Sequence, residues 1–163
     1  DQKSNEAMMI RPLLKQTQLE ERAVKVVFDA QRDGWTAESF HRAVDGCGAA
    51  VVLARTQEGK YIGGYNPKGW ASMGGARPSV AAFLFYSKGG SDQTKSSTVE
   101  FQKLRKVGGG GLACSFDEPN YGIAFGPDAL LIGLNRESNR QLAQSKLGPY
   151  FERGPDELSS LFS

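Results

Sequence analysis

The sequence predicts an α+β domain, mostly β: two packed antiparallel sheets forming a β-sandwich, flanked by a few short helices. Three observations carry that expectation. Continuous apolar runs of strand length recur at residues 49–54, 80–86 and 129–134. Twenty glycines punctuate the 163 residues and divide these runs with turns. Helical periodicity is confined to the first third of the chain. Many short strands with glycine-rich connections, and helices gathered at one end, suit sheet-on-sheet packing.

Residues 33–48, running straight into the first apolar run, organise the rest. Asp33-Gly34 is a turn signal, and the hydroxyl of Thr36 can accept an unpaired amide hydrogen of the helix that follows. Phe40, Ala43 and Val44 fall at helical spacing, and Gly46 and Gly48 stop the helix because glycine reaches left-handed angles without steric cost. The run at 49–54 then reads as a central strand covered on both faces.

Upstream, residues 1–10 read as a polar lead-in that docks through Met8, Met9 and Ile10, and Pro12 suits the first turn of a helix. Leu19, Ala23, Val26, Val27 and Ala30 recur at helical spacing and predict an amphipathic helix over 18–31. The domain division that follows is a lead-in at 1–17 and a single domain at 18–163. Because the chain opens at Asp1 without methionine, it is expected to be a fragment.

Downstream, Gln57-Glu58-Gly59 predicts a hairpin turn into residues 60–65. Gly63 and Gly64 lie inside that strand and imply close approach by another backbone or a large ring, for which Trp70 is the candidate. Residues 99–107 alternate apolar and polar side chains, the pattern of a strand with one wet face. A turn and strand at 108–116, an interrupted strand at 121–126 and a polar loop at 135–147 complete the reading, with short extended chain between turns at the end.

Composition narrows function. Twenty basic and eighteen acidic side chains nearly cancel, so no global field steers the protein to nucleic acid or anionic membrane. No run approaches membrane-spanning length. Two cysteines, Cys47 and Cys114, make no disulfide framework and suggest a reducing, intracellular compartment, the cytoplasm first, with organelle targeting left open.

No catalytic set assembles. The glycines at 108–111 lead into a strand, and no lysine follows them as in a phosphate cradle. His41 is the only histidine, and Asp45 four residues later could orient it, but no nucleophile can be assigned; such helix pairs are usually surface contacts. One histidine and two distant cysteines fall short of a zinc site, so no metal and no cofactor are expected. Cys47, beside Arg42 in sequence terms, is a candidate redox thiol or a small buried hydrophobe. Cys114 reads as core, Asp117-Glu118 before Pro119 as a solvated turn, and Arg136, Arg140 and Lys146 as a solvated loop. His41, Arg42 and Asp45 are the candidate functional surface.

In order along the chain, residues 26–28, Asp33-Gly34-Trp35-Thr36, the Phe40-His41-Arg42 helix, Gly46-Cys47-Gly48 and the strand at 51–53 resemble the TLDc domain of oxidation-resistance proteins. The series continues through Tyr61, Gly63, Gly64, Tyr65, Trp70, residues 82–85, Tyr121-Gly122, Phe125-Gly126 and residues 130–133, and is most similar to plant-type members. The resemblance implies a β-sandwich, a role in oxidative-stress resistance and, for several members, binding to the vacuolar proton-pumping ATPase (V-ATPase). It implies no accepted catalytic residues. Members usually end in a further strand that this chain lacks, so the expectation is a domain short of its last strand. The functional expectation is a non-enzymatic regulatory or binding module with a protein partner. The alternatives are a peroxide-reactive thiol at Cys47 and, behind it, a hydrolase using His41.

Overall fold

A computed structural model of the chain describes residues 2–88, 99–107, 115–134 and 141–162. Among the described residues, three α-helices, α1 (Gln2–Ile10), α2 (Ala30–Asp33) and α3 (Ala37–Val44), and one 3-10 turn (Arg11–Leu14) accompany nine strands. The strands are β1 (Ala50–Arg55), β2 (Tyr61–Asn66), β3 (Ala76–Arg77), β4 (Phe83–Ser87), β5 (Phe101–Arg105), β6 (Ser115–Phe116), β7 (Ile123–Phe125), β8 (Leu130–Leu134) and β9 (Gln141–Gln144). They form antiparallel sheets in the orders β1-β2-β4-β5 and β7-β8-β9, with a two-stranded ribbon of β3 and β6. The fold is thus mostly β, two antiparallel sheets with few short helices, as the glycine-divided apolar runs predict.

Register explains how the sheets pack. Val52, Gly64, Leu84 and Leu104 stand side by side across the four strands, and so do Ala54, Ile62, Tyr86 and Gln102. The apolar members of these rows meet Ile123, Phe125, Leu130, Ile132 and Leu134 of the second sheet in one core, with Phe40, Val44 and Trp70 inserted at its end. Gly64 makes this contact possible: a Cβ there would lie 2.7 Å from Phe125 Cζ. Gly63, on the opposite face, would place a Cβ 1.9 Å from the Val52 carbonyl oxygen and 2.6 Å from Phe85 Cζ. The close-approaching rings are therefore Phe125 and Phe85. Trp70 instead stacks edge-on between Phe40 (5.2 Å) and Phe125 (5.8 Å).

The outer face of the four-stranded sheet is also covered. Tyr65, Phe83 and Phe85 are buried against Ile10 and Leu13, with Leu19, Val24 and Phe101 at the margin. Phe101 and Leu104 thereby pack on opposite faces of β5, Phe101 half-buried beside the N-terminal segment while Arg105, on the same face, stays exposed. This covering also overturns the helix expected over 18–31. Turns occupy 17–22, no regular structure follows to residue 29, and helix resumes only at α2. In a helix Leu19 and Val24, about 140° apart around the axis, would not share a face, whereas Val24 and Phe28 would. Leu19, in the turns, and Val24, in the irregular stretch, instead reach the outer face while Phe28 passes to the inner core, 5.4 Å from Phe40. The helical cap sits at Asp29, whose carboxylate accepts the Gln31 amide while Asp33 accepts the Asp29 amide.

Two further differences bear on the strands. Gln141–Gln144, expected as polar loop, pairs with β8 as an edge strand, where polar residues are tolerated. β1, expected to be central, lies at the edge of its sheet. The hairpin at 56–60 forms as expected, with the Thr56 amide on the Lys60 carbonyl at 2.8 Å. The C-terminal stretch docks through Leu161, fully buried, while Tyr86 Oη donates to Asp156 at 2.6 Å. The glycine run 108–111, Cys114, Arg136 and Arg140 lie outside the described residues.

Gly63→Ala, forced against backbone, should lower stability by about 3 kcal/mol or more. Gly46→Ala, with φ 79° and no atom within 4 Å of the added Cβ, should lose only about 1 kcal/mol from left-handed strain. Urea midpoints at unchanged slope check the pair.

Candidate functional site

The polar cluster of the domain begins on α3. Thr36 Oγ1 accepts the Ser39 amide at 3.0 Å and starts the helix, which turns Phe40 and Val44 into the core. His41, next to Phe40, is consequently buried at 6% exposure, and is not the surface contact that its spacing to Asp45 suggests. Its Nδ1 lies 2.8 Å from Asp45 Oδ1 and its Nε2 lies 2.6 Å from the Tyr121 carbonyl oxygen. A carbonyl only accepts, so Nε2 carries its hydrogen there. The Ser72 hydroxyl donates to Asp45 Oδ2 in a short bond, and its oxygen sits 3.1 Å from His41 Nδ1. With Nε2 turned to the Tyr121 carbonyl, Nδ1 stands between the Asp45 carboxylate and the Ser72 hydroxyl.

Ser72 reaches this position by an unusual backbone, φ 55°, a conformation that costs an L-residue about 1–2 kcal/mol. Asp117 holds it there. This side chain is fully buried, and it accepts the amides of Ala71 (2.7 Å) and Ser72 (2.8 Å) on Oδ1 and of Met73 (3.1 Å) on Oδ2. Arg77 Nη1 stands 3.8 Å away. Burial alone would raise the Asp117 pKa; the three amides and the Arg77 charge outweigh it, and the group stays below the ordinary carboxylate range. The expected solvated turn at Asp117-Glu118 is therefore a buried staple. Its backbone completes the join: Gly74 donates to the Asp117 carbonyl and the Asp117 amide to the Gly75 carbonyl, each at 2.8 Å, while Glu118 Oε1 accepts the Gly75 amide.

Of the residues singled out by sequence, His41 and Asp45 meet. Arg42 is exposed and paired with Glu38 at 2.6 Å. Cys47 is an exposed free thiol whose Sγ reaches the Ala43 carbonyl at 3.4 Å, so it is not a buried hydrophobe. Lys146 is exposed. Gly46 donates its amide to the Trp70 carbonyl at 2.9 Å, tying the end of α3 to the loop that carries Ser72. A Cβ on Gly122 would lie 2.7 Å from the Ile132 carbonyl, and Gly126 turns at φ 61° after Phe125, so both keep β7 tight against β8. Ser72, Asp117 and the Tyr121 carbonyl are missed by sequence reasoning, since they lie 31 to 80 residues from His41 and follow no motif spacing. Among the described residues no group of three or more His, Cys, Asp or Glu side chains is placed to hold a metal ion, and no helix is long and apolar enough to cross a membrane.

The described structure is thus an antiparallel β-sandwich whose loops are welded at one end by a buried carboxylate and a buried histidine. A family model of the TLDc domain matches residues 3–157, and the chain belongs to this family, which is associated with resistance to oxidative stress. No curated protein and no solved structure matches the chain.

Replacing Asp117 tests the weld. Asp117→Ala strands three amides and should cost about 3–5 kcal/mol, whereas Asp117→Asn keeps one acceptor and should cost less. Because the folded carboxylate titrates below its unfolded value of about 3.9, its contribution is present above that pH and is lost as pH falls through the lower folded value. Wild-type stability should therefore decline more steeply than that of Asp117→Asn below about pH 4, measured as urea midpoints across the acid range.

Proposed function

We propose that the domain is a non-enzymatic binding module, serving oxidative-stress resistance by presenting a rigid loop surface to a protein partner. The V-ATPase is the partner that the family resemblance implies. One observation carries the reading: both ring nitrogens of the only histidine are held by acceptors inside a closed network. A general base needs a nitrogen lone pair facing the proton it removes. Here Nε2 spends its hydrogen on Tyr121, and the Ser72 proton is directed at Asp45 rather than at the imidazole. The arrangement supports holding two loops in place, and argues against a serine nucleophile activated by His41.

The clamped loops present apolar side chains outward. Met73 is 76% exposed and Tyr121 56% exposed, on backbone fixed by Asp117 and His41 respectively. Large apolar groups on rigid backbone lose little entropy on binding, which favours recognition.

The exposed thiol of Cys47 favours a second reading, peroxide reduction by a reactive sulfur. Two measurements decide between them. Met73→Asp with Tyr121→Asp should leave thermal stability within about 0.5 kcal/mol, as for surface changes generally, and abolish retention of the detergent-solubilised V-ATPase on the immobilised domain. Wild-type retention no better than a blank resin would refute the partner. Cys47→Ser should consume hydrogen peroxide at the parental rate; a clear loss would favour the thiol.

A further inference from the structure

The four-stranded sheet has two edges, and the protein treats them differently. Along β5 the chain places Lys103, Arg105 and Lys106, and then covers the strand with residues 150–152: Lys106 bridges to Phe151, Val107 donates to the Tyr150 carbonyl at 2.9 Å and Glu152 to the Arg105 carbonyl at 2.9 Å. Charge and cover are the usual defences of an exposed strand. Along β1 no cover is found among the described residues, and charge is confined to the last position. Its sequence, Ala-Val-Val-Leu-Ala-Arg, contains no proline or lysine, and its register with β2 runs unbroken from Ala50↔Asn66 to Arg55↔Tyr61, without a bulge. Its single charge, Arg55, folds back over its own hairpin, 5.4 Å from the Tyr61 ring centroid. Among the described residues no strand or loop bonds to the outer edge of β1. Val51, Leu53 and the flanking alanines remain half-buried, so the strand carries central-strand composition at an edge position.

We infer that β1 pairs with β1 of a second copy, joining two four-stranded sheets into one across a two-fold axis. The axis stands perpendicular to the sheet at Val52. In an antiparallel pair, residues opposite one another share a face, so continuity of the inner and outer faces requires partners of like parity. The register centred on Val52 meets this. Val52 opposes Val52 of the second copy, Val51 opposes Leu53, Ala50 opposes Ala54 and Arg55 opposes Ala49. Apolar groups face apolar groups along the strand, and the two arginines lie at opposite ends of the pair. An isologous contact of this kind closes at two copies and does not propagate. A six-residue strand is a small contact compared with a standard interface of about 800 Å² per partner, so the dimer is weak and concentration-dependent. The inference stands on β1 alone and is independent of the loop surface that carries the proposed function.

Sedimentation equilibrium of the full chain over a concentration series tests it. The weight-average mass should climb toward twice the monomer value. Register is tested by cysteine pairing in a background with Cys47→Ser and Cys114→Ser, folding being checked by thermal melts. A mixture of Val51→Cys and Leu53→Cys chains, differently tagged, should form disulfide-linked hetero-pairs under a glutathione redox buffer, severalfold faster than either variant alone. A chain that stays monomeric at every concentration, as it would if another segment or a different protein occupied the edge, overturns the inference. So does a dimer whose cross-linking ignores the 51–53 pairing.

Discussion

The carboxylate of Asp117 is the constraint on which the site end of the molecule depends. A charge without exposure is costly unless hydrogen bonds replace its water, and here three consecutive amides of residues 71–73 do so. Accepting from three amides in a row dictates the backbone of that segment, including the left-handed Ser72. The consequences spread outward from there. Trp70, immediately upstream, is delivered into the core between Phe40 and Phe125, and its carbonyl is delivered to the Gly46 amide. Ser72 is delivered to Asp45 and His41, and His41 in turn grips the loop that begins with Asp117. Helix α3, the 70–75 loop and the 117–121 loop are thereby one polar circuit closed on itself.

A second constraint acts in the sheets. Two adjacent glycines in β2 face opposite ways: Gly64 leaves the recess filled by Phe125 from the second sheet, and Gly63 leaves room for the tip of the Phe85 ring from the neighbouring strand. The aromatic series Phe28, Phe40, Trp70, Phe125 then runs edge-to-face from the N-terminal segment to the middle of the sandwich. Edge-to-face ring pairs contribute about 0.5–1.5 kcal/mol each beyond their buried area. They also link the polar circuit to the sheet, because Phe40 and His41 are neighbours on α3 and their rings stand 5.0 Å apart.

The same two constraints explain which parts were legible in the sequence. Local chemistry was: the Thr36 cap, the helix stop at Gly46, the hairpin at 56–60 and the ring recess at Gly63-Gly64 each depend on a few adjacent residues. The identity of the ring was not local, and Phe125 rather than Trp70 fills the recess because packing of the two sheets brings β7 across from β2. The stripe at 19–30 misled for a similar reason. Leu19 packs on the outer face beside Val24 from off the stripe, Phe28 enters the inner core, and Ala23 and Val27 are left exposed. Asp117 read as a solvated turn because nothing in Asp-Glu-Pro reveals that a loop more than forty residues upstream will supply its amides. His41 and Asp45 were visible as a pair, but their burial and their third partner, Ser72, depend on that same distant loop.

Closure of the circuit also bears on the function proposed for the domain. A reaction centre keeps at least one strong donor or acceptor uncommitted and aimed at space where a substrate can sit. At this end of the sandwich the commitments run the other way: imidazole to carbonyl and carboxylate, hydroxyl to carboxylate, carboxylate to amides. Such a network resists rearrangement, because opening any one bond strands a buried partner at a cost of about 1–3 kcal/mol. Rigidity of that kind serves recognition, in which the surface to be read must exist before the partner arrives. The circuit commits these polar groups to holding the positions of the two loops.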